Sequence, residues 1–465
     1  MNFLRRQLPL LATLLAAIAV WLVYAPGNLS YDSFLQYRQS LTNTYSNWHP
    51  PIMAIALAIV MFYGGGIGTL MLLQCVAGVL GVRAWALAVL EQLSRDRWTP
   101  GRLQWVATLV TLLMLLPVTP TACYLMTFWK DSWTAIEFLW VAALGLRLFN
   151  RCDAMPRGAF WLQFGGLAAL MALAGITRHN TLVVLPTMGG LLWLILARRG
   201  VHLAWLSIVM PAVASVFASA SIDWAFSTDR YRPGDQVKIL ELVGVCIAHP
   251  ECRGEFPYIA ENLTPDGAAG YRDGDALALN DPASPVIKKK LWRITDTDKL
   301  DAEYRHAVLA HPWLLLAVKG RAFCRLFDPA NNKGTYCQQT LDANNFRLHH
   351  YARFGRPRAW IASLMIASLE IPFLSWIAYH NVWFSLNLAV IAGLLIYFVR
   401  RPTRQLVIWL FVMAIPLCYA LSYFAAVTGM DYRFLYPSTL FVQVAALAAA
   451  TFYGMRCVES RAAPD

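Results

Sequence analysis

Residues 8–24 read LPLLATLLAAIAVWLVY, a stretch without a charge that follows Arg5 and Arg6. A hydrocarbon core about 30 Å thick is crossed by roughly 20 apolar residues in a helix. The stretch has some features of a secretory leader, but it is long and no small-residue cleavage site stands out after it, so we read a retained first span. Comparable runs recur at about 64–83, 103–120, 132–149, 159–176, 181–197, 202–222, 383–399, 405–424 and 437–455, with a further one at about 359–378 interrupted by Glu370 and Pro372. These runs predict an all-α polytopic membrane protein with about 10–11 transmembrane helices.

Composition agrees. Of 465 residues, 58% are hydrophobic and 14% charged, whereas soluble domains carry charge on about a quarter of their residues. Disordered, collagenous and small disulfide-rich chains are excluded with the ordinary soluble ones. The net charge of +12 raises nucleic acid as a partner, but the position of the charges removes it. With the N-terminus inside, cytoplasmic loops and tails gather fifteen basic residues against five acidic ones, while the short outer loops hold Arg38, Lys130, Arg178 and Arg433, one apiece. That is the positive-inside pattern. It also places the short apolar segment 51–63, PIMAIALAIVMFY, as a juxtamembrane or re-entrant helix on the outer side, and 359–378 as a helix that does not fully cross.

Three regions result: a membrane module at 1–222, a polar region at 223–358, and C-terminal membrane helices at 359–465. The polar region carries 19 basic and 17 acidic residues, enough chain for a soluble extracytoplasmic domain of its own. Its later part, KLDAEYRHAVLAHPWLLLAVKGRAFCRLF, reads as amphipathic helix broken or kinked at Pro312. Cys246, Cys252, Cys324 and Cys337 lie there, where an oxidising compartment permits disulfides. Free thiols are the alternative, and neither pair has the CxxC spacing of a zinc motif.

Ionisable groups at membrane depth are costly and often functional. The first outer loop, SYDSFLQYRQSLTNTYSNWHPP, spaces Phe34, Tyr37, Leu41, Tyr45 and Trp48 by threes and fours, with Asp32, Gln36, Gln39 and Asn43 on another face, as in a helix lying in the interface. Ser30 caps it and puts Asp32 in the first turn, where the helix dipole favours a carboxylate. His49 precedes Pro50 and Pro51. Further outer loops offer Lys130 with Asp131, Arg178 with His179 and Asn180, and Asp431 with Tyr432 and Arg433. Singly, each is more ordinarily an exposed acid or a snorkelling base. A carboxylate and a cation recurring in successive outer loops otherwise poor in charge favour function. Sugar transfer from a polyprenyl phosphate to a hydroxyl uses such a set: a carboxylate to take the proton, and cations to neutralise the departing phosphate. There is no P-loop, GxSxG or Rossmann fingerprint.

In this order and spacing the chain resembles the GT-C superfamily of integral membrane glycosyltransferases, which includes protein O-mannosyltransferases, oligosaccharyltransferase catalytic subunits and the lipid A aminoarabinose transferase. The resemblance rests on Tyr31-Asp32, Trp48-His49-Pro50-Pro51, Lys130-Asp131, Arg178, and Tyr432-Arg433-Phe434-Leu435-Tyr436-Pro437. It implies catalytic roles for Asp32 and Asp131, donor-phosphate binding by Lys130, Arg178, Arg433 and His49, and substrate contacts from Tyr31, Gln36, His179, Asn180 and Tyr432. Where a family member uses a divalent cation, magnesium or manganese, Asp131 is its candidate ligand. The first loop lacks the paired acids after Tyr31, and the polar region is inserted between spans rather than placed last.

The expected activity is transfer of a sugar from a polyprenyl-phosphate donor to an envelope lipid, glycan or protein at the periplasmic face of a bacterial inner membrane. The rivals are an envelope-lipid transporter or flippase, and an O-antigen ligase or polymerase. Against transport, the spans show no obvious inverted repeat and the polar groups gather at one membrane face.

Overall fold

Seven of the ten apolar runs form single helices long enough to cross a membrane in the computed structural model of this chain. Its description covers residues 2–94, 97–265, 267–276, 278–280, 285–288, 296–329, 355–425, 427, 429 and 431–462. Two compact units emerge, one from 1–229, 336–419 and 435–465, the other from 230–335 and 420–434.

In the first unit α1 (Asn2–Tyr24) is followed by two short helices, α2 (Tyr31–Thr42) and α3 (Ile52–Phe62), and then by α4 (Ile67–Ser94). The next helices are α5 (Pro100–Met114), α6 (Thr121–Leu125), α7 (Lys130–Arg151), α8 (Arg157–Thr177), α9 (Leu185–Arg198) and α10 (Met210–Phe226). At 11 residues, α3 extends only about 16 Å and does not cross, in keeping with its expected place at the surface.

Three runs expected as spans are shorter helices. The run at 103–120 leaves the helix at Leu115, two residues before Pro117, so α5 has 15 residues. The run at 181–197 opens with a 3-10 turn, His179–Val183, which leaves 14 residues to α9. The run at 202–222 opens with another, Ala204–Ile208, before the 17 residues of α10. Pro186 and Pro211 each fall in the first helical turn, where a missing N–H costs nothing, so they mark true helix starts inside apolar sequence. Among the described residues seven single helices are long and apolar enough to cross by themselves, or eight if a bent pair in the second unit counts as one, against the 10–11 spans expected.

The heart of the first unit is α4 against α7, which packs also on α8 and α9. Gly78 of α4 leaves room for both α6 and α7: a Cβ there would stand 2.5 Å from Leu125 Cδ2 and 3.3 Å from Ile136 Cδ1. Of the most apolar windows, 72% of α4 and 78% of α7 are buried inside the protein. Two short strands, β1 (Tyr45–Ser46) and β2 (Ser227–Asp229), pair in parallel and tie the loop after α2 to the end of α10.

In the second unit the helices are α11 (Pro233–Ala248), α12 (Pro257–Asn262), α13 (Gly267–Gly270), α14 (Thr297–Ala310) and α15 (Pro312–Arg325). Ile239, Leu242, Val243, Phe256, Ile259, Leu300, Ala307, Leu315 and Val318 share one buried core. The Glu303 carboxylate accepts from the Tyr258 and Ile259 amides at 2.6 and 3.2 Å, satisfying donors that the start of α12 leaves open. The break expected at Pro312 is present as a 102° bend between α14 and α15. The unit also takes in 420–434 from between the last two spans, a part of the chain that the division at 223–358 did not include.

The remaining helices, α16 (Gly355–Glu370), α17 (Pro372–Ala378), α18 (His380–Arg400), α19 (Arg404–Ser422) and α20 (Tyr436–Ala462), follow. Those between 355 and 419, and α20, belong to the first unit. The doubtful segment 359–378 is broken at Ile371, ahead of Pro372, and neither piece is long enough to span. α20 packs on α4 and α7, whereas only 6% of the apolar window of α18 is buried. The chain is thus an all-α polytopic membrane protein.

Candidate functional site

The site begins with a helix cap. Ser30 accepts from the Ser33 amide, and Ser33 Oγ receives the Ser30 amide at 3.1 Å, a reciprocal box that starts α2 and sets Asp32 in its first turn. Ser33 Oγ also donates to the Phe128 carbonyl at 2.6 Å, and Trp129 Nε1 donates to Ser30 Oγ at 2.5 Å. Asn28 exchanges backbone bonds with Met126 and Phe128 at 2.7 and 3.0 Å. The loop that carries Asp32 is therefore docked on the loop that precedes Lys130.

The interfacial helix differs from its sequence reading in two respects. It ends at Thr42, where Asn43 turns left-handed at φ 52°, so Tyr45 falls in β1 and Trp48 beyond it. Its buried stripe is polar: Ser33, Gln36 and Ser40 face inward while Leu41 is exposed. Ser33 donates to the Phe128 carbonyl of the neighbouring loop and Ser40 to the Tyr37 carbonyl of its own helix, bonds that apolar periodicity does not encode.

The first outer loop, the turn before α3, and the start of α7 meet at one histidine. Lys130 Nζ lies 3.0 Å from His49 Nδ1. An ammonium only donates, so Nδ1 accepts and the ring hydrogen sits on Nε2. That Nε2 is 3.5 Å from Asp32 Oδ1. Lys130, His49 and Asp32 form a row running from cation to carboxylate, with His49 buried and Asp32 partly exposed.

Next to Lys130 in the first turn of α7, Asp131 pairs with Arg178, which follows the last residue of α8. Both are buried, Asp131 at 1% and Arg178 at 6% exposure. Buried pairs of this kind need further bonding to offset desolvation, and Asp131 Oδ2 has no hydrogen-bond partner among the described residues. His179 lies next along the chain. Its pKa is held below the ordinary value first by desolvation, then by the charges of Lys130 and Arg178, against the opposing pull of Asp223.

Sequence reading missed a second acid in this column. Glu137 of α7 is buried and accepts from Thr177 Oγ1 at 2.7 Å, one residue before Arg178. The signal was present, a lone carboxylate inside the apolar run 132–149. Its partner lies 40 residues away and is invisible to local pattern.

Other expected residues fall elsewhere. Asn180 is partly exposed in the 3-10 turn after Arg178, and Gln36 is buried in α2. Tyr31 opens α2, but its side chain lies outside the description. Tyr432 and Arg433 belong to the second unit, where Arg433 Nε is 2.9 Å from Asp431 and its backbone amide bonds the same carboxylate. Cys246 and Cys252 are free buried thiols, so that pairing is not made here; Cys324 is exposed, and Cys337, the other cysteine considered, lies outside the described residues. Magnesium and manganese call for several oxygen ligands. The Asp32 and Asp131 carboxylates are instead matched by His49 and Arg178, a donor set that does not fit such an ion.

Compared with known protein families, curated proteins and solved structures, the chain matches none. The functional reading therefore rests on the chemistry of these side chains.

Proposed function

We propose that this chain is a membrane glycosyltransferase, moving a sugar from a polyprenyl-phosphate donor to a hydroxyl of an envelope lipid, glycan or protein on the periplasmic face of a bacterial inner membrane. The observation that carries the reading is the Asp32–His49–Lys130 row joined, through the neighbouring Lys130 and Asp131 of α7, to the Asp131–Arg178 pair. In the proposed reaction the acceptor oxygen attacks the anomeric carbon, and the carbon–oxygen bond to phosphate breaks with its electron pair leaving on the phosphate. Asp32 takes the hydroxyl proton. Lys130 and Arg178 stabilise the phosphate as its charge grows. Asp131, sealed from solvent, is a positioning residue that aims Arg178. No general acid is demanded for these roles, since phosphate is already a good leaving group.

The test is transfer from a radiolabelled polyprenyl-phosphate sugar by the purified chain, with lipid-linked sugars and envelope glycans compared by mass spectrometry with and without the gene. Loss of the modified acceptor with accumulation of the donor supports transfer. Intact donor whose sidedness alone changes favours a flippase and overturns the reading.

A further inference from the structure

In the second unit a different set of side chains converges. Cys252 and Glu255 sit on a 3-10 turn, Pro250–Glu255, while His306 lies on α14 and His311 at the elbow between α14 and α15. His306 Nε2 and His311 Nε2 approach the same oxygen, Glu255 Oε2, at 2.8 and 2.9 Å. Ligand atoms of Cys252, Glu255 and His311 all lie within 4.8 Å of one another. We propose that Cys252, Glu255, His306 and His311 form a structural zinc site that clamps the 250–255 turn to the α14–α15 elbow.

The chemistry of the set selects the ion. One thiolate, two imidazoles and a carboxylate are the borderline-soft, mixed donors that zinc takes four at a time, and they suit calcium or magnesium poorly. Thiolate and carboxylate together balance the charge of a divalent cation. A tetrahedral zinc with bonds of about 2.0–2.3 Å separates its ligand atoms by about 3.3–3.8 Å; Cys252, Glu255 and His311 are within 4.8 Å of one another, and His306 joins them through its 2.8 Å contact with Glu255.

The backbone already holds the pieces in place. The turn is fixed by the Cys252 amide on the His249 carbonyl at 3.0 Å and by Arg253 Nε on the Cys246 carbonyl at 2.9 Å. The elbow is fixed by the His311 amide on Ala307 at 2.9 Å. Phe256, fully buried, lies against both imidazoles, with ring centroids 5.8 and 6.1 Å away. Cys252 is buried, whereas Glu255 and His306 reach solvent and give the ion a way in. The sequence shows no zinc motif because the ligands come from two segments more than fifty residues apart.

The proposal stands apart from sugar transfer and is tested without an activity assay. The full chain, purified in detergent and exposed to zinc and then desalted, is expected to retain about one zinc per chain by elemental mass spectrometry. Cobalt(II) in its place is expected to give tetrahedral visible bands and a near-ultraviolet thiolate-to-cobalt band, both bleached by added zinc. Cys252→Ser should remove the thiolate band and His311→Ala the stoichiometric binding, whereas His249→Ala, which alters a ring held by Glu251, should change neither. If a variant fails to fold, the wild-type cobalt spectrum decides. Retention below about a tenth of an equivalent, a cobalt spectrum without the thiolate band, or a Cys246–Cys252 disulfide in the purified protein overturns it.

Discussion

Around Asp32 and Asp131 in the membrane unit the acids are matched by His49, Lys130 and Arg178. Around Glu255 in the second unit one carboxylate gathers two imidazoles, with a thiol beside them. The first cluster has cations to offer and suits an arriving anion. The second has lone pairs to offer once its protons leave, and suits an arriving cation. Counting acidic and basic residues does not separate the two. What separates them is the identity of the bases: Lys and Arg stay charged and cannot bind metal, whereas His and Cys exchange a proton for one.

The largest expected effect is on turnover. Asp32→Asn should fold normally and lower sugar transfer by about 10²–10⁴-fold, the usual worth of a general base. Unchanged turnover in the radiolabel assay would remove Asp32 from that role. Next, Asp131→Ala strands Arg178 in a buried site and should cost about 3–5 kcal/mol, read as a large drop in the thermal unfolding temperature in detergent. The double variant Asp131→Leu, Arg178→Met should recover much of that loss while remaining inactive. Recovery of activity with stability would mean that the pair serves packing alone.

A smaller effect tests the mounting of the first cluster. Ser30→Ala removes the cap of α2 and a partner of Trp129, and should cost about 1 kcal/mol. Its effect on transfer should exceed its effect on unfolding, since the cap holds Asp32.

The smallest concerns acid stability of the second unit. Lys238 and Arg232 hold the Asp301 carboxyl at about 2, against an ordinary 3.8. Its folded value is depressed, so its contribution is present above the ordinary value and fades as pH falls toward about 2. Unfolding temperatures of wild type and Asp301→Asn should differ modestly near neutrality and converge in that acid window. A constant gap would show that the pair contributes through shape rather than charge.

The membrane spans were largely legible because apolar length runs along the chain, and hydrophobic burial follows it directly. The helix lengths at 103–120, 181–197 and 202–222 were overread where apolar residues continue through turns. Leu115 and the 3-10 segment at 204–208 are as apolar as helix, and the turn at 179–183 runs straight into Leu182 and Val183, so composition alone does not show where the hydrogen-bond ladder stops. That Asp32, His49, Lys130, Asp131 and Arg178 would gather was legible because charge at a span end is conspicuous. Glu137 was not, since a single acid inside an apolar run discloses neither its burial nor its bond to Thr177. His306 and His311 lie five apart and look like ordinary helix polarity until the 102° bend turns both toward Glu255.

Ser33 divides its hydroxyl between its own helix cap and the Phe128 carbonyl, two residues before Lys130. The segments bearing the acid and the base are consequently a single inherited part. A change acceptable in one can be ruinous in the presence of a change in the other, so substitutions at 28–33 and 126–130 should combine non-additively. Homologous sequences should exchange these two stretches as a block, and a chimera that swaps only one of them should lose function although every residue in it is native to some working protein.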